Sequence, residues 1–312
     1  MNKTLIVAAV SALAATGALA QSSVTLYGRF NVSAERQDAA GKKTYQLVND
    51  SSRIGFKGTE DLGGGMKAGF QLEHGFNADT GTQSQTAFWA RQSEVNLSGG
   101  FGTLRLGNFT SEAYYATADY ISMHNHDTGP SSDAFYAGVS NTTNKIAYRL
   151  PEIAKGMTLE GAVSAGEGKG PRSWDFAWNY SLGALQLGAG YAKAGDANQF
   201  AVRGLYEMGA LVLGAYVQKD ENGLRVNAGN RTSYRLSAAY NVGPSEFHVN
   251  FGSAGKYDKV ANSSAKQFTL GYNYNLSKRT KVYTYYTKVD DSAAKVYGGD
   301  FNSIAFGLRH NF

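Results

Sequence analysis

The sequence predicts an all-β fold, a sixteen-stranded antiparallel transmembrane β-barrel. Three observations carry that prediction: alternation with period two, connections that switch between short and long, and two faces of opposite polarity. Composition sets the bounds first. The 312 residues include 38 Gly, 20 Tyr and 16 Phe but only 4 Pro and no Cys. Without cysteine there is no disulfide framework, no Cys-ligated zinc and no thiol nucleophile. Hydrophobic residues make up 42% and charged residues 18%, so the chain is neither disordered nor a polytopic helical membrane protein. Its net charge of +5 is modest, and Lys and Arg are scattered. A nucleic-acid binder would need a basic stripe.

Residues 1–20 read as a cleaved signal peptide. Lys3 supplies the positive start, Leu5 to Ala15 is an uncharged apolar or small-residue run, and Ala18-Leu19-Ala20 offers the small residues of a cleavage site. The run is too short for a membrane anchor. Export would leave residues 21–312 as a single barrel domain beginning at Gln21.

From there the alternation takes over. Val24 to Ser33 places apolar residues or Gly at even positions and mostly polar ones at odd positions, and Met66 to Glu73, Ser173 to Tyr180, Phe268 to Tyr274 and Asn302 to Phe312 repeat the pattern. Such runs open near residues 23, 44, 66, 86, 102, 143, 157, 173, 184, 199, 210, 232, 246, 266, 280 and 300. Each has roughly eighteen residues for strand plus connection, and a tilted membrane strand needs only about 9–11. Gly- and Asn-rich turns such as Asp61–Gly65, Ser98–Gly100, Ser181–Gly183 and Asn241–Pro244 alternate with longer polar loops such as Asn77–Gln85, Lys219–Arg231 and Ser253–Ala265. Tight turns at one rim and longer loops at the other are the asymmetry of a membrane barrel.

The faces point the same way. Sixteen strands enclose an interior too wide for side chains to fill. The apolar face therefore belongs against lipid and the polar face against a water-filled lumen, with closure satisfying the backbone. Trp89, Trp174, Tyr180, Tyr240 and Tyr274 stand near strand ends, where an amphipathic ring suits the headgroup level.

Several stretches resemble Gram-negative general porins of the betaproteobacterial type. They are Ser23 to Gly28, Ser52 to Gly65, Arg91 through Leu97-Ser98-Gly99-Gly100-Phe101-Gly102 to Gly107, Leu276 to Thr280, and the terminal Gly307-Leu308-Arg309-His310-Asn311-Phe312. The family often carries Arg directly after the Leu-Gly of the fifth strand; this chain has Asn108 there and a base earlier, at Arg105. The resemblance implies a homotrimeric outer-membrane channel whose third extracellular loop folds inward. Ions and small hydrophilic solutes would diffuse through it passively, with lipid and lipopolysaccharide as surroundings and no catalysis, cofactor or nucleic acid.

Signals of other chemistry are weak. Asp79-Thr80-Gly81 and Asp127-Thr128-Gly129 lie in polar loops, where Asp-x-Gly is ordinary turn chemistry. Gly166-Glu167-Gly168-Lys169-Gly170 lacks the spacing and helix of a phosphate loop. His124, His126 and Asp127 offer two imidazoles and a carboxylate, with no third His nearby. An outer-membrane barrel enzyme and a soluble sugar-binding β protein are the competing readings.

The longest connection, Asn108 to Asn144, has no Lys or Arg but contains Glu112, Asp119, Asp127 and Asp133. Its start predicts a short helix capped by Ser111 with Glu112 in the first turn, and the whole reads as a constriction loop. Strand parity sorts Arg29, Arg53, Lys57, Lys67, Arg105, Lys145, Arg149, Arg203, Arg235 and Arg309 onto the lumen face. The acids there are fewer: Glu35, Glu73, Glu160, Asp175 and Glu246. Arg91 drops out because parity slips between Phe88 and Val95. The expected constriction therefore sets Arg29, Arg53, Lys67, Arg105 and Arg309 against Glu112, Asp119, Asp127 and Asp133. Glu112 and Asp119 would face the arginines across the narrowest water, giving a weak anion preference.

Overall fold

A computed structural model describes residues 23–119, 121, 132–168 and 170–312; the signal-peptide reading lies outside them. Seventeen strand segments form one antiparallel sheet that closes on itself when β1 (Ser23–Ala39) pairs with β17 (Phe301–Asn311). Two of the segments share one place in the wall. The inner half of β1 pairs with β3 (Arg53–Gly63) and its outer half with β2 (Lys42–Asn49), which are separated only by the bend at Asp50-Ser51-Ser52. The wall is thus sixteen strands around, as the sequence predicts.

The remaining strands follow in chain order: β4 (Met66–Gly75), β5 (Gln92–Gly99), β6 (Gly102–Asn108), β7 (Lys145–Arg149), β8 (Met157–Ser164), β9 (Ser173–Leu182) and β10 (Leu185–Ala194). Then come β11 (Ala197–Met208), β12 (Leu211–Glu221), β13 (Asn230–Val242), β14 (Ser245–Ala254), β15 (Ala265–Asn275) and β16 (Thr280–Asp291). Most begin within two residues of the expected start. The exception is β5, expected near residue 86: residues 86–91 are irregular backbone, which accounts for the parity slip there. Two outer connections, Ala40-Gly41 and Gly195-Asp196, are as tight as the turns at the other rim. Residues 40, 41 and 195 take positive φ, which closes a hairpin in two residues.

The burial pattern is inverted relative to a soluble protein. Val24, Leu26, Phe30, Trp174, Phe176, Phe200, Leu236, Ile304, Phe306 and Leu308 are exposed, while their neighbours Asn31, Ser33, Gln199, Arg235 and Ser303 are buried. A closed sheet in bilayer leaves no backbone group unpaired and presents these apolar rows to lipid. Trp174, Tyr240 and Tyr274 are exposed near strand ends; Trp89 stands off the strands, edge-on to Phe88.

The last residue completes the closure. Phe312 N donates to Gly28 O and Gly28 N to Phe312 O, both at 3.1 Å. A side chain on Gly28 would fall 2.3 Å from the Phe312 ring, so the glycine leaves room for that ring.

Candidate pore constriction

The described parts of the long connection from β6 to β7 pack against the inner face of the wall. Ser111 caps its helical turn Glu112–Tyr114, its side chain accepting from Ala113 N at 3.1 Å, as the sequence predicts. The chain continues as a wider π-type turn, Tyr115–Asp119. This segment seats on β10, where two glycines are required. A Cβ on Gly188 would meet Ala116 O at 2.0 Å, and one on Gly190 would meet Ala113 O at 2.7 Å. Ala118, Ile121 and Tyr136 then pack with Ala201, Leu205 and Tyr216 of β11 and β12. Thr117 Oγ1 donates to Ala113 O at 2.7 Å and lies 2.8 Å from Tyr136 OH. Among the described residues, Ala113, Ala116, Thr117, Ala118, Ile121 and Tyr136 are buried by this packing.

The basic residues fall into two groups. In the first, Arg105 is 13% exposed and held by carboxylates: Nε and Nη2 donate to Glu94 at 3.0 and 2.8 Å, and Nη1 to Glu160 at 2.8 Å. Arg149 Nη2 lies 3.0 Å from Glu112 and 2.9 Å from Glu160. Lys145, wholly buried, donates to Asp175 at 2.8 Å. Glu112 therefore meets Arg149 directly, with Arg105 at 4.0 Å. Burial holds its carboxyl above the usual range; Arg149 pulls it down, and Glu160 pushes it up again.

The second group is more open in the sense that fewer acids meet it. Arg29 and Arg53 are register partners on β1 and β3, and Asn31 of β1 pairs with Arg309 of β17. These guanidinium groups lie within electrostatic reach of one another and of Arg91. Lys281, the register partner of Arg309 on β16, extends the row. Acid is scarcer here. Glu73 lies 2.7 Å from Arg91 and 3.8 Å from Arg53, and Glu246 lies 2.9 Å from Lys281. Arg29 Nε donates to a neutral group, Asn311 Oδ1, at 3.1 Å. The loop answers with Tyr115, within reach of Arg91, of Glu73 and of Asp119 on its own segment. A cavity of about 710 Å³ opens between them, lined by Glu73, Trp89, Arg91, Asn108 and Tyr115 among others.

Lys67 is apart from both groups, exposed near the Gly63–Gly65 turn opposite Asp61 and Ser98. Asp133 lies in the 3₁₀ turn Ser132–Phe135; Asp127, with His124 and His126, lies outside the described residues. Asp79-Thr80-Gly81 is a turn, Gly81 N donating to Asn77 O at 2.7 Å. Arg91 and Lys281 are the additions that sequence reasoning missed. Alternation within β16 points Lys281 inward with Tyr283 and Tyr285, a usable signal. Arg91 precedes β5, where alternation carries no information.

A closed barrel with apolar exterior, polar interior and a loop laid along its inner wall defines a β-barrel channel of the outer membrane. Comparison with known proteins gives the family. The family model for Gram-negative porins matches residues 7–294, and the chain belongs to that family. It is 33% identical to outer membrane porin protein 32 of Delftia acidovorans and 28% identical to the major outer membrane protein P.IB of Neisseria meningitidis serogroup B, each over the full length of both chains. Among solved structures it resembles the anion-selective porin from Comamonas acidovorans, at a TM-score of 0.77 and 27% identity over 94% of this chain and 100% of that one. The trimer form of OmpT from Vibrio cholerae, 15% identical with a TM-score of 0.73 over 93% and 99% of the two chains, shares the fold. The protein is an outer-membrane porin, a water-filled channel for passive diffusion of ions and small hydrophilic solutes. Its family relatives are channels rather than enzymes.

Proposed function

We propose that this porin is weakly anion-preferring and that solutes are selected between the row Arg29, Arg53, Arg91 and Arg309 and the loop residues Tyr115 and Asp119. The observation that carries the reading is the gathering of four guanidinium groups on neighbouring parts of the wall, with Glu73 serving Arg29, Arg53 and Arg91 together and Glu246 acting on Arg309. Opposed charge across narrow water makes a transverse field that passes both ion signs, and the basic surplus tips it toward anions. The likeness to an anion-selective porin of similar fold supports the sign. In planar bilayers under a KCl gradient, the reversal potential should lie modestly on the anion side. A cation-side value overturns the proposal.

The working form is a homotrimer set in lipid and lipopolysaccharide, acting without catalysis and exported by cleavage after Ala20. The broad exposed apolar exterior supports the lipid and subunit contacts. Crosslinking in detergent should trap trimers, and the mature N-terminus should read Gln21.

A further inference from the structure

One buried ion pair gathers the long loop and two other outer connections. Asp220 lies near the end of β12 and Arg231 at the start of β13, and both side chains are fully buried. Arg231 Nε and Nη2 donate to Asp220 Oδ1 at 2.8 and 2.6 Å. Nη1 donates to Tyr297 OH at 2.5 Å, and Nη2 also donates to Phe135 O at 3.0 Å. The other carboxylate oxygen, Asp220 Oδ2, accepts from Tyr257 OH at 2.7 Å. Phe135 belongs to the return limb of the long loop, Tyr257 to the β14–β15 connection and Tyr297 to the β16–β17 connection.

We propose that Arg231 is a positioning residue for conduction: its guanidinium latches the return limb of the long loop to the wall and thereby keeps the aperture steady. The proposal rests on the reading of that loop as the constriction. The barrel does not need this pair for closure. The β12–β13 ladder runs unbroken from Leu211↔Tyr240 to Glu221↔Asn230, and a buried ion pair is a weak source of stability, better suited to fixing one arrangement. What the pair adds is geometric. A planar fork makes four bonds from three nitrogens to a carboxylate, a phenol and a main-chain carbonyl of three segments, whereas an ammonium has three donors on one atom.

The neighbouring contacts agree. Ser233 Oγ donates to the same Phe135 carbonyl at 3.2 Å. Gln218 binds both sides of Ala137, accepting from its N at 2.8 Å and donating to its O at 3.2 Å. The outgoing limb is seated by packing on Gly188 and Gly190. Arg231 supplies the charged anchor of the return limb.

The test is single-channel recording of Arg231→Lys, with Tyr297→Phe as a second variant that leaves the ion pair in place. Arg231→Lys should insert and keep the wild-type reversal potential. Its partial closures should be about tenfold more frequent, the loss expected when bonds to a charged group are removed. Tyr297→Phe should raise them less. Wild-type closure frequency in both variants overturns the latch. Asp119→Lys separates the two readings: an unchanged reversal potential there overturns the constriction on which the latch rests.

Discussion

Two stretches of the inner wall carry the same kind of residue to different effect. On β6 and β7, Arg105, Lys145 and Arg149 are met by Glu94, Glu160, Asp175 and the loop's Glu112. On β1, β3 and β17, Arg29, Arg53 and Arg309 stand beside one another with Arg91, and the acids near them are only Glu73 and, beside Arg309, Glu246. The first stretch fastens the loop and spends its charge on neighbours; the second leaves charge for the water. Counting bases on a face therefore misjudges the field, because the field depends on which of them are already neutralised.

The comparison breaks first, if it breaks, at Arg105. Arg105→Met removes the base between Glu94 and Glu160, whose side chains are only 5% and 2% exposed. Leaving the buried Glu94 without its base, and Glu160 with Arg149 alone, should cost about 3–5 kcal/mol, read as a lower unfolding temperature of the detergent-solubilised barrel. A stability like that of the parent would mean the acids find other partners and the two stretches are not so different.

Next in size is the open stretch. Arg29→Glu combined with Arg53→Glu should carry the reversal potential through zero to the cation side. The permeability ratio should change about tenfold, roughly 1.4 kcal/mol of differential barrier, with little loss of stability because neither residue is locked in a carboxylate cage. If selectivity hardly moves, the ion path does not run past this row.

What the sequence discloses follows from what period two encodes. Alternation decides which face a strand residue occupies, so Arg29, Arg53, Arg105 and Arg309 were all legible as inward. It says nothing about partners across strands, so the capture of Arg105 by Glu94 and Glu160 was not: Glu160 is fifty-five positions away. Nor does it reach irregular backbone, which hid Arg91. The capped turn at Ser111 was legible because capping is local. The seats for that turn, Gly188 and Gly190, are ordinary glycines until the loop is laid on them.

A smaller effect sharpens the boundary between the stretches. Glu112 is the loop's contribution to the paired side, and its carboxyl is held above the usual range, chiefly by burial. Its negative charge is present above that raised value and is lost as pH falls through it, before ordinary carboxylates titrate. Losing an acid from the lumen makes the interior more positive, so anion preference should rise on acidification, by about twofold. Glu112→Gln should show the higher preference already at neutral pH and lose this early part of the pH response. A variant that keeps the parental pH profile would assign the response to another group.

The smallest effect belongs to Lys67, inward by parity yet in neither stretch. It lies six residues before Glu73 on β4, and at about 3.4 Å per residue that places it roughly 20 Å along the wall from the open row. At physiological ionic strength the Debye length is about 8 Å, so screening leaves only about a tenth of its field at that distance. Asp61, its register partner on β3, offsets part of the remainder. Lys67→Glu should therefore leave the reversal potential within experimental scatter in 0.15 M salt. A measurable cation-ward shift should emerge only near 0.01 M, where the Debye length grows to about 30 Å. A large shift at the higher salt would show that selection extends down the wall to the inner rim, and the contrast between the two stretches would no longer account for it.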